Sequence, residues 1–218
     1  MSLFVRSSKQ EIYLDLIICI YFFVVIFSSS QLFAEITLKP LYEKKGRDLA
    51  QRMIEVMPSL NALSIGNENS KNIIIEFLDY NCGYCKKIHP ELMEVVKNED
   101  VKLYFYQFPI LSESSKLYSR TVLAVMLQNQ DKGLKAHDLM MSHKGSLNAT
   151  KVQNILEDLS IDFDQFAKDM ESVDLEEMLA ISYYLAKSIQ SRGTPAMVIN
   201  DEIIFGYIPK SRIKGLLR

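Results

Sequence analysis

Residues 81–90 read NCGYCKKIHP, and within them Cys82 and Cys85 are two of only three cysteines in 218 residues. Thiols at this spacing can open and close a disulfide, supply half of a zinc site, or sit buried and inert. A zinc site would need His89 as a third ligand and His137 or His143 as a fourth. One CxxC without a second matched ligand pair argues against it, so no metal and no cofactor is expected. A second chemical candidate is Glu76, an acid inside the apolar run IIIEFL. Period-two alternation allows it to face solvent, whereas burial beneath the cysteines would let it exchange a proton with Cys85.

The compartment bears on which thiol chemistry applies. Arg6 and Lys9 precede an unbroken apolar run over residues 16–27, followed by a polar SSSQ and then Leu32-Phe33-Ala34. That order is the pattern of a secretory signal, read here as residues 1–34 with cleavage after Ala34. The run is about a dozen residues, short of the roughly twenty a spanning helix needs, with an uncleaved anchor as the alternative. Cys19 lies in this run and would leave with it, so the mature chain keeps only Cys82 and Cys85. In an oxidising compartment the two would pair, yet closing so small a loop restrains the unfolded chain very little. The spacing suits a disulfide that turns over better than one that staples.

The elements around the cysteines favour a reactive thiol. Residues 73–78 read as a buried strand, and after the cysteines Ile88, Leu92 and Val95 or Val96 recur at helical spacing. Cys82 therefore falls at the mouth of a helix, where free N–H groups and the helix dipole stabilise a thiolate. Cys85 lies one turn further in on the same face, placed to resolve a mixed disulfide at Cys82. Pro90 is expected to kink this helix. Residues 101–110 read as a second, parallel strand, 112–191 as helical throughout, and 196–199 and 202–205 as two strands turned at Asn200-Asp201. A short helix follows Pro209.

A strand–CxxC–helix unit in an exported chain resembles the thioredoxin superfamily. The likeness extends to Pro90, at the superfamily's spacing after the second cysteine, and to Arg192-Gly193-Thr194-Pro195 running into AMVIN. FLDYNCGYCK, the helical middle and GTPAMVIND with GYIP are most similar to the DsbA-like branch of secreted bacterial thiol–disulfide oxidoreductases. The resemblance covers residues 72–218. It implies an α/β thioredoxin fold with a helical insertion between the βαβ and ββα halves, the domain occupying residues 67–218. It also implies a cis Pro195 opposite the cysteines, with Thr194, Pro195, Gly83 and Tyr84 as the surface that meets substrate. Expected partners are exported proteins with cysteines and a membrane redox partner.

Gly83 and Tyr84 also bear on the direction of electron flow. Strongly oxidising relatives have histidine where this chain has Tyr84, and Gly-Tyr with threonine before the cis proline looks more like secreted isomerases. A periplasmic dithiol oxidase, an oligomeric isomerase or reductase, and a non-catalytic thioredoxin-fold binding module are thus the competing readings. An isomerase would hold two active sites on one substrate, which directs attention to residues 35–66. There Leu49, Met53, Val56 or Met57, and Leu60 recur at helical spacing, either packed on the domain or forming a self-association arm. The formal net charge of −2 and the lack of a lysine-arginine cluster leave no basis for nucleic-acid binding.

Overall fold

The computed structural model describes residues 48–55, 62–145 and 147–218. The expected signal, its cleavage site, Cys19 and most of residues 35–66 lie outside them. Among the described residues no helix is long and apolar enough to cross a membrane.

Strand β2 (Ile73–Leu78) is buried on both faces, as its nearly continuous apolar run requires. It pairs in parallel with β3 (Lys102–Gln107), from Ile73 opposite Lys102 to Leu78 opposite Gln107. The crossover between them is α2 (Gly83–Asn98). On its other side β2 pairs antiparallel with β4 (Ala196–Ile199), which pairs antiparallel with β5 (Glu202–Phe205). The β4–β5 turn rests on Asn200, whose positive φ of 55° asparagine tolerates and whose Oδ1 accepts from the Ile73 N–H.

The sheet has a further edge strand. β1 (Leu63–Gly66) pairs antiparallel with β3, giving the order β1-β3-β2-β4-β5 among the described residues. Residues 35–66, read from sequence as a helical segment, therefore end in a strand of the domain's own sheet. Gly66 closes β1 at φ +104°, and a Cβ there would stand 2.2 Å from the Val101 carbonyl oxygen, so no larger residue fits. Before β1, α1 (Leu49–Ile54) starts with a capping box: Asp48 accepts from the Gln51 N–H and the Gln51 side chain accepts from the Asp48 N–H.

The middle of the chain is helical as expected: α3 (Glu113–Gln128), α4 (Gln130–Ser142), α5 (Ala149–Asp158), α6 (Phe163–Asp169) and α7 (Val173–Ser188). Each begins at a side-chain cap, Ser112, Asn129, Asn148, Asp162 and Ser172 in turn, so polar punctuation sets where this run of apolar sequence breaks. α8 (Lys210–Lys214) follows Pro209.

Alternation along β2 divides the core. Ile74 and Leu78 join Cys85, Ile88 and Leu92 of α2 and apolar residues of α3–α5 in the larger cluster. Ile73, Ile75 and Phe77 face Ala50 and Met53 of α1 and Ile181 and Leu185 of α7. Helices thus cover both faces of the sheet, and α2 is held with its N-terminus at the C-terminal ends of β2 and β3.

Candidate active site

Asp79 builds the turn that delivers Cys82 to the helix mouth. Its carboxylate is fully buried and accepts from the N–H groups of Asn81, Ile110 and Leu111, at 2.8, 3.0 and 3.0 Å, while its carbonyl accepts from the Cys82 N–H. The loops after β2 and β3 are thereby tied together. Cys82 is the N-cap of α2, with φ −79° and ψ 114°, and its Sγ accepts from the Cys85 N–H at 3.4 Å. Both cysteines are free thiols.

Environment separates the two sulfurs. The Cys82 pKa falls to about 6, first through the hydrogen bond from the Cys85 thiol, with Thr194 and the N–H groups of Cys85 and Tyr84 adding to it and burial opposing. Burial pushes the Cys85 thiol far above the ordinary range, and the contact with Cys82 and the charge of Glu76 push the same way. Cys82 is therefore a thiolate at neutral pH and Cys85 a thiol.

The Thr194–Pro195 peptide is cis, as the resemblance implied. Thr194 bears on Cys82 through two groups. Its carbonyl oxygen lies 3.1 Å from Sγ and accepts from the thiol, while its side chain helps to lower the Cys82 pKa although the buried hydroxyl makes no hydrogen bond of ordinary length. A cleft of about 560 Å³ runs past Thr194, Pro195, Phe205 and Gly206. On the other side of the helix mouth a cleft of about 960 Å³ is lined by Gly83, Lys86, Ser114 and residues 141–145. Gly83 lines this cleft with open space where a Cβ would stand, and Tyr84 is 62% exposed, so the residues between the cysteines face solvent.

Glu76 faces inward. It sits on the same face of β2 as Ile74 and Leu78, fully buried, with neither carboxylate oxygen hydrogen-bonded. Burial, and secondarily the Cys82 charge, raises its pKa to about 8, which keeps it protonated at neutral pH. The solvent-facing alternative is thus excluded.

The histidines are packed rather than gathered round the cysteines. His89 is buried, its Nε2 2.9 Å from Asp138 Oδ1, and His137 is buried, its Nδ1 2.9 Å from the Tyr80 hydroxyl. Lys86 donates to the His143 carbonyl. Among the described residues no three His, Cys, Asp or Glu side chains are arranged to hold a metal ion. Asp79 is the site residue that sequence reasoning passed over. Its signal was its place, a short polar side chain between a buried strand and a helix, where side-chain to backbone bonds form.

A family model described as a DSBA-like thioredoxin domain matches residues 73–218. The crystal structure of a thioredoxin-like oxidoreductase from Silicibacter pomeroyi DSS-3 is 31% identical, with a TM-score of 0.67, and covers 72% of this chain and 90% of that one. The thiol-disulfide exchange protein alpha-DsbA2 from Wolbachia pipientis is 26% identical with a TM-score of 0.70, covering 83% and 94%. A probable disulfide bond formation protein D from Bacillus anthracis is 24% identical over 152 residues, 64% of this chain and 70% of that one. With an acidic thiol at a helix mouth, a buried partner thiol and a cis proline against them, the chain belongs to the DSBA-like thioredoxin domain family and is a disulfide oxidoreductase.

Proposed function

We propose that the protein exchanges disulfides with exported proteins in the periplasm through the Cys82–Cys85 dithiol, with Cys82 as nucleophile and Cys85 as resolving thiol. The observation that carries this reading is the unequal environment of the sulfurs, one acidic at the helix mouth and one buried with its pKa raised. In the oxidising direction a substrate thiolate attacks Cys82 Sγ of the disulfide. The S–S bond breaks, Cys85 leaves as a thiolate and takes a proton, and Cys82 carries the mixed disulfide. A second substrate thiolate then attacks the substrate sulfur, releasing oxidised substrate and the Cys82 thiolate. Glu76, protonated and buried on the Cys85 side of the sheet, is the proton donor to Cys85 and takes the proton back in the reverse direction. Thr194 and Pro195 hold the substrate segment against Cys82, and Gly83 and Tyr84 form the other wall.

An acidic Cys82 stabilises the reduced form and favours oxidation of substrates, with a membrane partner removing the electrons. The second reading, an isomerase working as an oligomer through residues 35–66, is supported by Tyr84, which is neutral and exposed where a cationic neighbour would bias the couple further. Within that segment, Ala50 and Met53 are buried against the domain's own sheet, while Val56, Met57 and Leu60 lie outside the described residues.

Trapping tests the assignment. Cys85→Ser expressed with its leader is expected to accumulate mixed disulfides with exported proteins, and Cys82→Ser to accumulate none. Equal trapping by both variants, or by neither, would overturn the roles. Insulin reduction measured beside reactivation of scrambled ribonuclease separates the oxidase from the isomerase.

A further inference from the structure

Glu76 has no visible exit for its proton. It is fully buried, both oxygens lack partners, and the cysteine it serves is buried above it. Within electrostatic reach of it, though not hydrogen-bonded to it, Tyr80 begins a line of polar side chains that crosses the core. Gln107 Nε2 lies 3.4 Å from the Tyr80 hydroxyl oxygen and donates to it, so the Tyr80 O–H is free to donate to His137 Nδ1 at 2.9 Å. His137 then carries its ring proton on Nε2, a buried atom with no partner. One ring further, His89 Nε2 donates to Asp138 Oδ1 at 2.9 Å, which leaves His89 Nδ1 as a lone-pair acceptor, also buried and without a partner. An orphan donor and an orphan acceptor thus belong to two rings whose centroids are 5.1 Å apart, edge to face. The Asp138 side chain is 51% exposed, so the line ends in water.

We propose that Tyr80, His137, His89 and Asp138 form a proton path between Glu76 and solvent, which serves the Cys85 step of the exchange reaction. The inference rests on the proposed role of Glu76. When Cys85 becomes the attacking thiolate, Glu76, protonated at rest, first turns to the Tyr80 oxygen and yields its proton there as the Tyr80 proton moves to His137 Nδ1. The Glu76 carboxylate so formed then takes the Cys85 proton. His137 Nε2 hands its proton to His89 Nδ1 once the rings rotate from their 75° edge-to-face contact into an N–H···N alignment, and His89 Nε2 hands its own to Asp138 and water. One proton enters and one leaves, and no electron moves along the path. The return direction reprotonates Glu76 after Cys85 has left as a thiolate.

The groups facing this path come from every element around it. β2 supplies Glu76, the following loop Tyr80, and α2 supplies Cys82, Cys85 and His89, the last four residues beyond Cys85 and so on the same helix face. α4 supplies His137 and Asp138. β3 supplies Phe105, on which the His137 ring lies at 4.1 Å between centroids, and Gln107, which accepts from the Ser119 hydroxyl of α3. Burial holds both histidines below their ordinary pKa, with Asp138 opposing this at His89, so each is a neutral carrier with one donor and one acceptor.

The test compares two steps in the full-length protein. Resolution of a mixed disulfide at Cys82 with a model peptide needs Cys85 to lose its proton, whereas alkylation of Cys82 does not. His137→Phe keeps a ring on Phe105 but removes both nitrogens. Asp138→Asn changes a half-exposed carboxylate, is expected to leave the fold intact, and decides the question if His137→Phe does not fold. Each variant is expected to slow resolution by about tenfold, less than the roughly hundredfold or more that a general acid–base group in direct contact contributes, because the path acts through Glu76. In mixtures of light and heavy water each should also turn a curved dependence of rate on deuterium content into a linear one. Alkylation of Cys82 should be unchanged. Resolution rates and deuterium dependence matching the parent protein would overturn the path, even if stability falls, since a purely structural clamp would lower stability alone. Failure of Cys85→Ser to trap substrate would instead overturn the dithiol reading beneath it.

Discussion

At the scale of single residues, the site works by giving like groups unlike surroundings. Thr194 touches Cys82 through its carbonyl, which accepts from the thiol, and through its hydroxyl, which favours the thiolate. Thr194→Val keeps the volume and removes only the hydroxyl. The Cys82 pKa should rise and the reduced form lose stabilisation, making the couple less oxidising, with a tenfold change in the exchange constant corresponding to about 30 mV. Thiolate absorbance and equilibration with glutathione measure both quantities, and no movement in either would show that the hydroxyl does not act on Cys82. Glu76 makes a stability prediction of opposite sign to an ordinary carboxylate. Its folded pKa of about 8 lies above the unfolded value of 4.5, so its contribution to stability is full below pH 4.5 and falls as pH rises to about 8. Glu76→Gln should therefore stabilise the protein by about 3 kcal/mol at neutral pH and by little at pH 4.5. Denaturant unfolding at the two pH values checks this, and a gain independent of pH would contradict a buried neutral acid. The cysteines stood out by their spacing, and Thr194 with a cis Pro195 was implied by the resemblance. The contacts of Tyr80 with His137 and of His89 with Asp138 could not, because they join α2 and the β2 loop to α4 across 57 and 49 residues.

At the scale of elements, legibility followed burial. β2, β4 and β5 were read at their observed bounds because apolar, β-branched runs between turn residues leave little choice. β3 was read three residues too long at its end, where Phe108 is still buried but Asp79 takes the N–H groups of Ile110 and Leu111 out of the ladder. β1 was missed: in four residues, LSIG, the alternation of Leu63 and Ile65 with Ser64 is too short to stand out. α1 was legible as a helix, but its partner was not. The structure has Ala50 and Met53 against β2 and β4, with the Ala50 N–H on the Asn200 carbonyl and Arg218 reaching Asp48. Met53→Ala should thus cost about 2–5 kcal/mol, as for other fully buried methionines. A shift in urea midpoint reports it, and an unchanged midpoint would mean that α1 contributes nothing to the domain.

At the scale of the whole molecule, the site exists only when three distant parts of the chain meet: the β2–α2 turn, the loop after β3, and the Thr194–Pro195 turn before β4. The parallel β2–β3 pair and the antiparallel β2–β4 pair bring these together at one end of the sheet, and the helical insertion, with its own caps, closes over them. Cys82 becomes acidic through that assembly rather than through its sequence neighbours alone, since Cys85, Thr194 and the α2 N–H groups all act on it. The measurement that bears most directly on this account is the thiolate titration of the reduced protein, folded and in denaturant, with Cys82→Ser beside it. The folded protein is expected to titrate near pH 6, with that step absent in Cys82→Ser and moved in denaturant to the ordinary thiol range of about 8.5. A folded-state titration already in the ordinary range, or one that survives in Cys82→Ser, would contradict Cys82 as the activated nucleophile.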